Sequence, residues 1–130
     1  MTVRYLLDTH AFLWMAADPD QLSRRVRKIV RNKNNRLYLS AASGWEIALL
    51  EKLNRIKLPD EPQRFIPEAI QRLSVLPIPI SFSTAITAAM LPLIHRDPFD
   101  RIIIAEAEKG KLIVITKDKK FVEYGIQSLW

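Results

Sequence analysis

Short apolar runs alternate with longer amphipathic stretches along the whole of this chain. Val3 to Leu7 is short and rich in β-formers, so it reads as a buried strand. Ala11 to Ala17 reads as a short helix closed by Asp18-Pro19-Asp20, and Ser23 caps a second helix reaching about Arg31. Asn32 to Asn35 is a turn cluster, Leu37 to Leu39 a second strand, and Ala42 to Leu53 a long helix. Pro59, Pro62 and Pro67 punctuate a connector and the start of a helix reaching about Leu73. Val75 to Ile80 is a third strand; Pro77 and Pro79 lack ladder donors, which places it at a sheet edge. Ser81 or Ser83 caps a helix ending near Leu91-Pro92, and Pro98 opens another that stops at Gly110. Leu112 to Thr116 is a fourth strand, Lys119 to Tyr124 a short helix, and Ile126 to Trp130 a short final strand. Strands alternating with helices predict a parallel sheet covered on both faces.

Four carboxylates break this pattern. Asp8 ends the apolar run of the first strand, and Asp118 closely follows that of the fourth. Glu46 shares a helix face with Ala42, Leu49, Leu50 and Leu53; Asp100 shares one with Ile103, Ile104 and Ala107. Charged side chains are rarely buried unless paired or bound to a metal. Taken singly, each helix acid can also be read as escaping to solvent or pairing with an arginine, and Asp118 as a solvated turn residue among lysines. Open parallel sheets, however, bind ligands outside the carboxyl ends of their strands, at the switch point of the strand order. If the first and fourth strands are neighbours there, Asp8 and Asp118 converge. Four converging acids repel one another unless a divalent cation holds them. Such ions activate water and stabilise the leaving oxygen of a phosphodiester. Asp97 is explained as the N-cap of the helix opened by Pro98, with a metal role as the weaker alternative. Thr9 and Thr116 place hydroxyls beside the acids, where they can orient a carboxylate or hold a metal-bound water.

Composition narrows the chemistry. The 130 residues suffice for one domain with a hydrophobic core, spanning 1–130 without a linker or repeat. There is no cysteine and only two histidines, so thiolate zinc sites and disulfides are excluded and any metal chemistry is oxygen chemistry. That composition accords with a reducing cytoplasm. No signal peptide or membrane-spanning run is visible. The net charge of +6 favours an anionic partner, nucleic acid first. Between Gln21 and Trp45 lie seven basic residues and no acid: Arg24, Arg25, Arg27, Lys28, Arg31, Lys33 and Arg36. Two readings of this stretch stand side by side, a solvated helix face and a phosphate-steering surface. Arg96, Arg101, Arg55 and Lys57 are nearer the acids in sequence and are candidates to grip a phosphate at the cut. Trp14 and Trp45 could stack bases, although an aromatic on an amphipathic helix is more often core.

Four segments carry a family resemblance: Tyr5-Leu6-Leu7-Asp8-Thr9-His10, Ser40 to Ala48 around Trp45-Glu46, His95 to Ala105 around Asp97-Pro98-Phe99-Asp100-Arg101, and Val114 to Asp118. In this order they resemble PIN-domain ribonucleases, and within that family VapC-like toxins of bacterial toxin–antitoxin pairs. The resemblance implies a three-layer α/β/α sandwich with a parallel sheet ordered 3-2-1-4-5. It implies Mg²⁺- or Mn²⁺-dependent RNA cleavage, with the acidic set on Asp8, Glu46, Asp100 and Asp118 and with Asp97 and Thr116 as auxiliaries. It also implies a homodimer and a small cognate antitoxin that occupies the active groove, for which the helices around Phe12 and Leu49 would offer an apolar anchor. Glu106 departs from the family pattern, where relatives often carry glutamine. Two other functions compete. A Mg²⁺-dependent phosphatase of similar architecture usually needs adjacent acids at the first strand, whereas Asp8 is followed by Thr9 and His10. A non-catalytic RNA-binding or scaffold member of the same fold would not need the intact acid set.

Overall fold

The computed structural model describes residues 2–130. Five strands, β1 (Arg4–Leu7), β2 (Arg36–Ser40), β3 (Leu76–Ile78), β4 (Ile113–Ile115) and β5 (Ser128–Leu129), form one sheet in the order β3-β2-β1-β4-β5. Every neighbouring pair is parallel, with Leu6 opposite Tyr38 on one side and Val114 on the other. Seven α-helices connect them: α1 (Thr9–Ala17), α2 (Arg24–Arg31), α3 (Ala41–Lys52), α4 (Pro62–Arg72), α5 (Phe82–Met90), α6 (Pro98–Gly110) and α7 (Lys120–Glu123). The expected α/β/α sandwich and its strand order are therefore present, and β3 sits at the edge as its prolines require.

Alternation along the short strands divides the core in two. Leu7 and Ile115 point into a cluster with Phe12, Val26, Ile47 and Phe65, beneath α1 to α4. Leu6 and Val114 point the opposite way, into a cluster with Ile103, Ile104 and Phe121, beneath α6 and α7. Burying side chains of this size contributes about 1.5–3 kcal/mol each. That hold on β1 and β4 fixes the positions of Asp8 and Thr116, which lie immediately beyond them.

Several boundaries differ from the sequence reading. α1 begins at Thr9, not Ala11, because the Asp8 carboxylate caps it, accepting the Ala11 N–H at 2.8 Å. Of the three prolines that punctuate this stretch, Pro62 opens α4 and Pro67 lies inside it. Ser81, not Ser83, caps α5. α6 stops at Gly110 as expected, and the left-handed residue that follows it is Lys111 (φ 52°). No helix among the described residues is long and apolar enough to cross a membrane.

Candidate active site

The strand order reverses between β1 and β4, and the crevice at their carboxyl ends gathers the acids. Asp8 leaves β1 and Asp118 follows Thr116 just past β4, while Glu46 arrives on the second turn of α3 and Asp100 on the first turn of α6. Thr116 links the strand-end pair: its hydroxyl accepts the Asp118 N–H at 3.0 Å and stands beside the Asp8 carboxylate. The Thr9 and Ser43 hydroxyls share a hydrogen bond at 3.0 Å, and the Thr9 hydroxyl eases the charge of nearby Glu46. Asp97 is the α6 N-cap, its Oδ1 accepting from Phe99 N–H at 2.9 Å and, more weakly, from Asp100 N–H at 3.4 Å.

The electrostatics register this crowding. Burial pushes the Asp8 carboxyl up, against hydrogen bonding by Thr116 and Ala11. Burial likewise raises Glu46, with Asp97 and Asp8 adding repulsion. Asp100 is pushed up to about 8, by burial first and then by Asp97, Glu46, Asp8 and Asp118 in turn. Glu46 Oε1 is buried without a hydrogen-bond partner. An unsatisfied carboxylate oxygen on a residue that repels Asp8, Asp97 and Asp100 belongs to the oxygen-rich kind of donor set that a hard divalent cation takes, so the residues present suit Mg²⁺ or Mn²⁺.

Glu46 reaches the crevice by a route that differs from the expected stripe. The buried line of α3 is Ala42, Ser43 and Ile47, whereas Leu49 and Leu53 are exposed. Trp45 is 60% exposed instead of core, and its ring meets Phe99 edge-on at 5.0 Å. Trp14 packs against Trp130, with Lys117 Nζ 5.2 Å from its ring centre.

Two assignments need correction. Arg101 does not reach toward RNA: it is buried, and it donates from Nη1 to the carbonyls of Pro92 (2.9 Å) and His95 (3.1 Å) and from Nη2 to those of Ala89 (3.1 Å) and Leu91 (2.8 Å). Its planar fork of donors satisfies the end of α5 and the loop that follows. Phe12 cannot anchor a partner, because it is fully buried. Arg55 and Lys57 lie beyond the carboxyl end of α3, away from the crevice. Arg96 is exposed in the loop before α6. On α2, Arg24, Lys28 and Arg31 are exposed and Arg27 is half-buried; together they line a cleft of about 530 Å³. α2 runs back toward the start of β2, so its Arg31 end is the one farther from the acids. A cleft of about 940 Å³ between the end of α1 and α4 contains none of the four acids.

Glu106 lies apart from the cluster. It is buried near Ser40 of β2, whose hydroxyl eases its charge, yet neither carboxylate oxygen has hydrogen-bond geometry to any group. Burial pushes it up to about 7.

Sequence reasoning missed His95. It is 8% exposed, and its Nε2 lies 2.9 Å from Asp100 Oδ2 and 3.0 Å from Asp118 Oδ2. The available signal was its place at the head of the His95-Arg96-Asp97-Pro98-Phe99-Asp100 block, immediately before the capping turn.

Residues 5–127 match the model of the PIN domain. The chain is 31% identical over 116 residues to Ribonuclease VapC22 of Mycobacterium tuberculosis, covering 88% of this chain and 87% of that protein. A shorter match, 33% identical over 54 residues, is to Ribonuclease VapC16 of the same organism and covers 42% of this chain and 38% of that one. Among solved structures, VapBC2 of Rickettsia felis bound to a DNA fragment from its promoter superimposes with a TM-score of 0.69 at 16% identity, covering 98% of both chains. The DNA-bound VapBC of Salmonella typhimurium gives the same TM-score and identity over 98% of this chain and 97% of that one.

Proposed function

This chain belongs to the PIN-domain family, and from that membership and its acid crevice we propose that it is a cytoplasmic, divalent-metal-dependent endoribonuclease, the toxin of a toxin–antitoxin pair. The observation that carries the reading is the convergence of Asp8, Glu46, Asp100 and Asp118 from four separate elements, with a buried, unpartnered Glu46 oxygen among them. The relatives named Ribonuclease VapC support the activity, and the VapBC complexes that share the fold support a small antitoxin as partner.

Asp8, Glu46, Asp100 and Asp118 are the residues that would hold Mg²⁺ or Mn²⁺. When bound, the cation supplies Lewis acidity toward the scissile phosphodiester, a more acidic water and a stabilised leaving oxygen. The protein's share is placement. Thr116 orients Asp8 and the Asp118 turn, and Thr9 flanks Glu46. Arg24, Arg27, Lys28 and Arg31 attract RNA without reading its sequence, and Arg96 in the exposed loop can meet a phosphate nearer the acids. The antitoxin would offer a basic side chain to the acid crevice, forming a desolvated ion pair in the cation's stead. The exposed α3 residues Trp45, Leu49 and Leu53 would then provide its apolar footing in place of Phe12. Self-association into a homodimer is supported by a second apolar stripe, Phe82, Ile86 and Met90 on α5, at 92%, 63% and 79% exposure.

The deciding experiment is cleavage of RNA by the purified chain with Mg²⁺, with Mn²⁺ and with chelator, alongside Asp8→Asn. Metal-dependent cleavage lost in the variant is expected. Cleavage that survives both chelator and Asp8→Asn would remove the reading.

A further inference from the structure

The roles assigned above leave His95 without a duty, although it touches two of the four acids. Its backbone is gripped from both sides: its N–H donates to the Tyr124 hydroxyl at 2.7 Å, and its carbonyl accepts from Arg101. The ring stands perpendicular to Phe121, centroids 6.3 Å apart. Nδ1 accepts the Asp97 backbone N–H at 3.3 Å. A nitrogen that accepts carries a lone pair, so in the neutral ring the proton is on Nε2. That Nε2–H donates to Asp118 Oδ2, with Asp100 Oδ2 at 2.9 Å from the same nitrogen. A ring nitrogen committed as a donor has no lone pair for a cation. Asp118 Oδ1 already accepts the Lys120 N–H at 2.9 Å, so with Oδ2 on His95 this carboxylate is oriented at both oxygens. Two acids that repel each other are thus spanned by one polarised N–H.

We propose that His95 is a positioning residue of the cation site: its Nε2–H holds Asp100 and Asp118 together as oxygen ligands without itself becoming one. The inference rests on the nuclease reading above. It separates His95 from Asp100 and Asp118, although the three present donor atoms within 4.8 Å of one another. It also gives Arg101 and Tyr124 a purpose, since both fix the loop that delivers the ring.

The test uses the full chain and Mn²⁺ as probe. Long-range ¹H–¹⁵N NMR of the metal-free protein in mildly alkaline buffer should show His95 protonated at Nε2 and not at Nδ1, with His95→Gln providing the assignment. Calorimetric titration should find Mn²⁺ affinity nearly retained in His95→Gln, whose amide can donate from the same place. It should be weakened about tenfold or more in His95→Phe and in His95→Asn, the latter standing in if the phenylalanine variant does not fold. Pulsed EPR of the Mn²⁺-loaded wild type should show no histidine nitrogen bound to the ion. A ¹⁴N coupling that disappears in His95→Gln would make His95 a ligand and overturn the proposal. So would the opposite tautomer, or wild-type Mn²⁺ affinity in His95→Phe or, where that variant does not fold, in His95→Asn, whose shorter amide does not reach the position of Nε2. A wild type that binds neither Mn²⁺ nor Mg²⁺ would instead bring down the metal reading itself, and this inference with it.

Discussion

Asp100 and Arg101 are consecutive on α6 and serve different partners. The Asp100 carboxylate faces His95 at the crevice, while the Arg101 guanidinium donates to four backbone carbonyls between Ala89 and His95. One charge takes part in the site and its neighbour builds the wall behind it.

Replacing Arg101 should therefore resemble a core lesion. Arg101→Leu leaves several buried carbonyls unpaired and should destabilise the fold by roughly 2–4 kcal/mol, read from urea melts. Neutralising Arg24, Lys28 and Arg31 should leave stability near wild type and flatten the salt dependence of RNA binding, by about one unit of slope for each phosphate no longer neutralised. An unchanged slope would return α2 to the role of a solvated face.

Asp100 links the crevice to pH. Its folded carboxyl keeps the proton to about pH 8, whereas an unperturbed one releases it near 3.8. Between those values the folded state holds the extra proton, so the metal-free fold loses stability as pH rises and is weakest above about pH 8. Asp100→Asn, always neutral, should gain on wild type across that window by an amount on the order of a few kcal/mol, while losing RNA cleavage. Denaturation of both proteins in chelator at several pH values measures the first effect. Full cleavage by the variant would show that Asp100 is not a ligand.

Cation binding should expel that proton. Mn²⁺ or Mg²⁺ should raise the melting temperature by mass action, and the rise should grow with pH up to about 8 and then level off. Calorimetry in buffers of different ionisation enthalpy would count the proton released. A pH-independent shift would place the ion somewhere other than Asp100.

Glu106 offers a contrast without catalysis. Its carboxyl is raised from 4.5 to about 7 by burial and meets no other acid. Glu106→Gln should stabilise the protein above about pH 7 by up to roughly 3 kcal/mol, given about 1.4 kcal/mol per pKa unit, with no advantage below about pH 4.5. RNA cleavage should be little changed, because the residue stands outside the crevice.

The parts of the site legible in the sequence were those tied to periodic elements. Asp8 follows an apolar strand and Asp100 sits on a stripe whose Ile103, Ile104 and Ala107 are indeed buried. Glu46 was found through a stripe only partly correct: Ala42 is buried as expected, but on α3 Leu49 and Leu53 remain outside and Ile47 goes in. Trp45, read as more often core, is exposed for a related reason, since apolarity alone does not say which side of a helix a neighbour covers. His95 had no period to betray it. It lies in a loop set by Tyr124, 29 positions later, and by Arg101. Arg101 itself was read as a surface cation because nothing local announces a guanidinium used as a multi-carbonyl cap.

The switch between β1 and β4 also imposes an order in time. β1 ends at Leu7 and its partner begins at Ile113, with most of the chain between them. During synthesis Asp8 and Glu46 emerge early but have no counterpart until β4 has left the ribosome and slotted in beside β1. The acid set is therefore assembled by the sheet and not by any one segment: until β4 has paired with β1, the early acids lack the strand that brings Asp118 to them, so cutting competence would be a property of the closed fold alone.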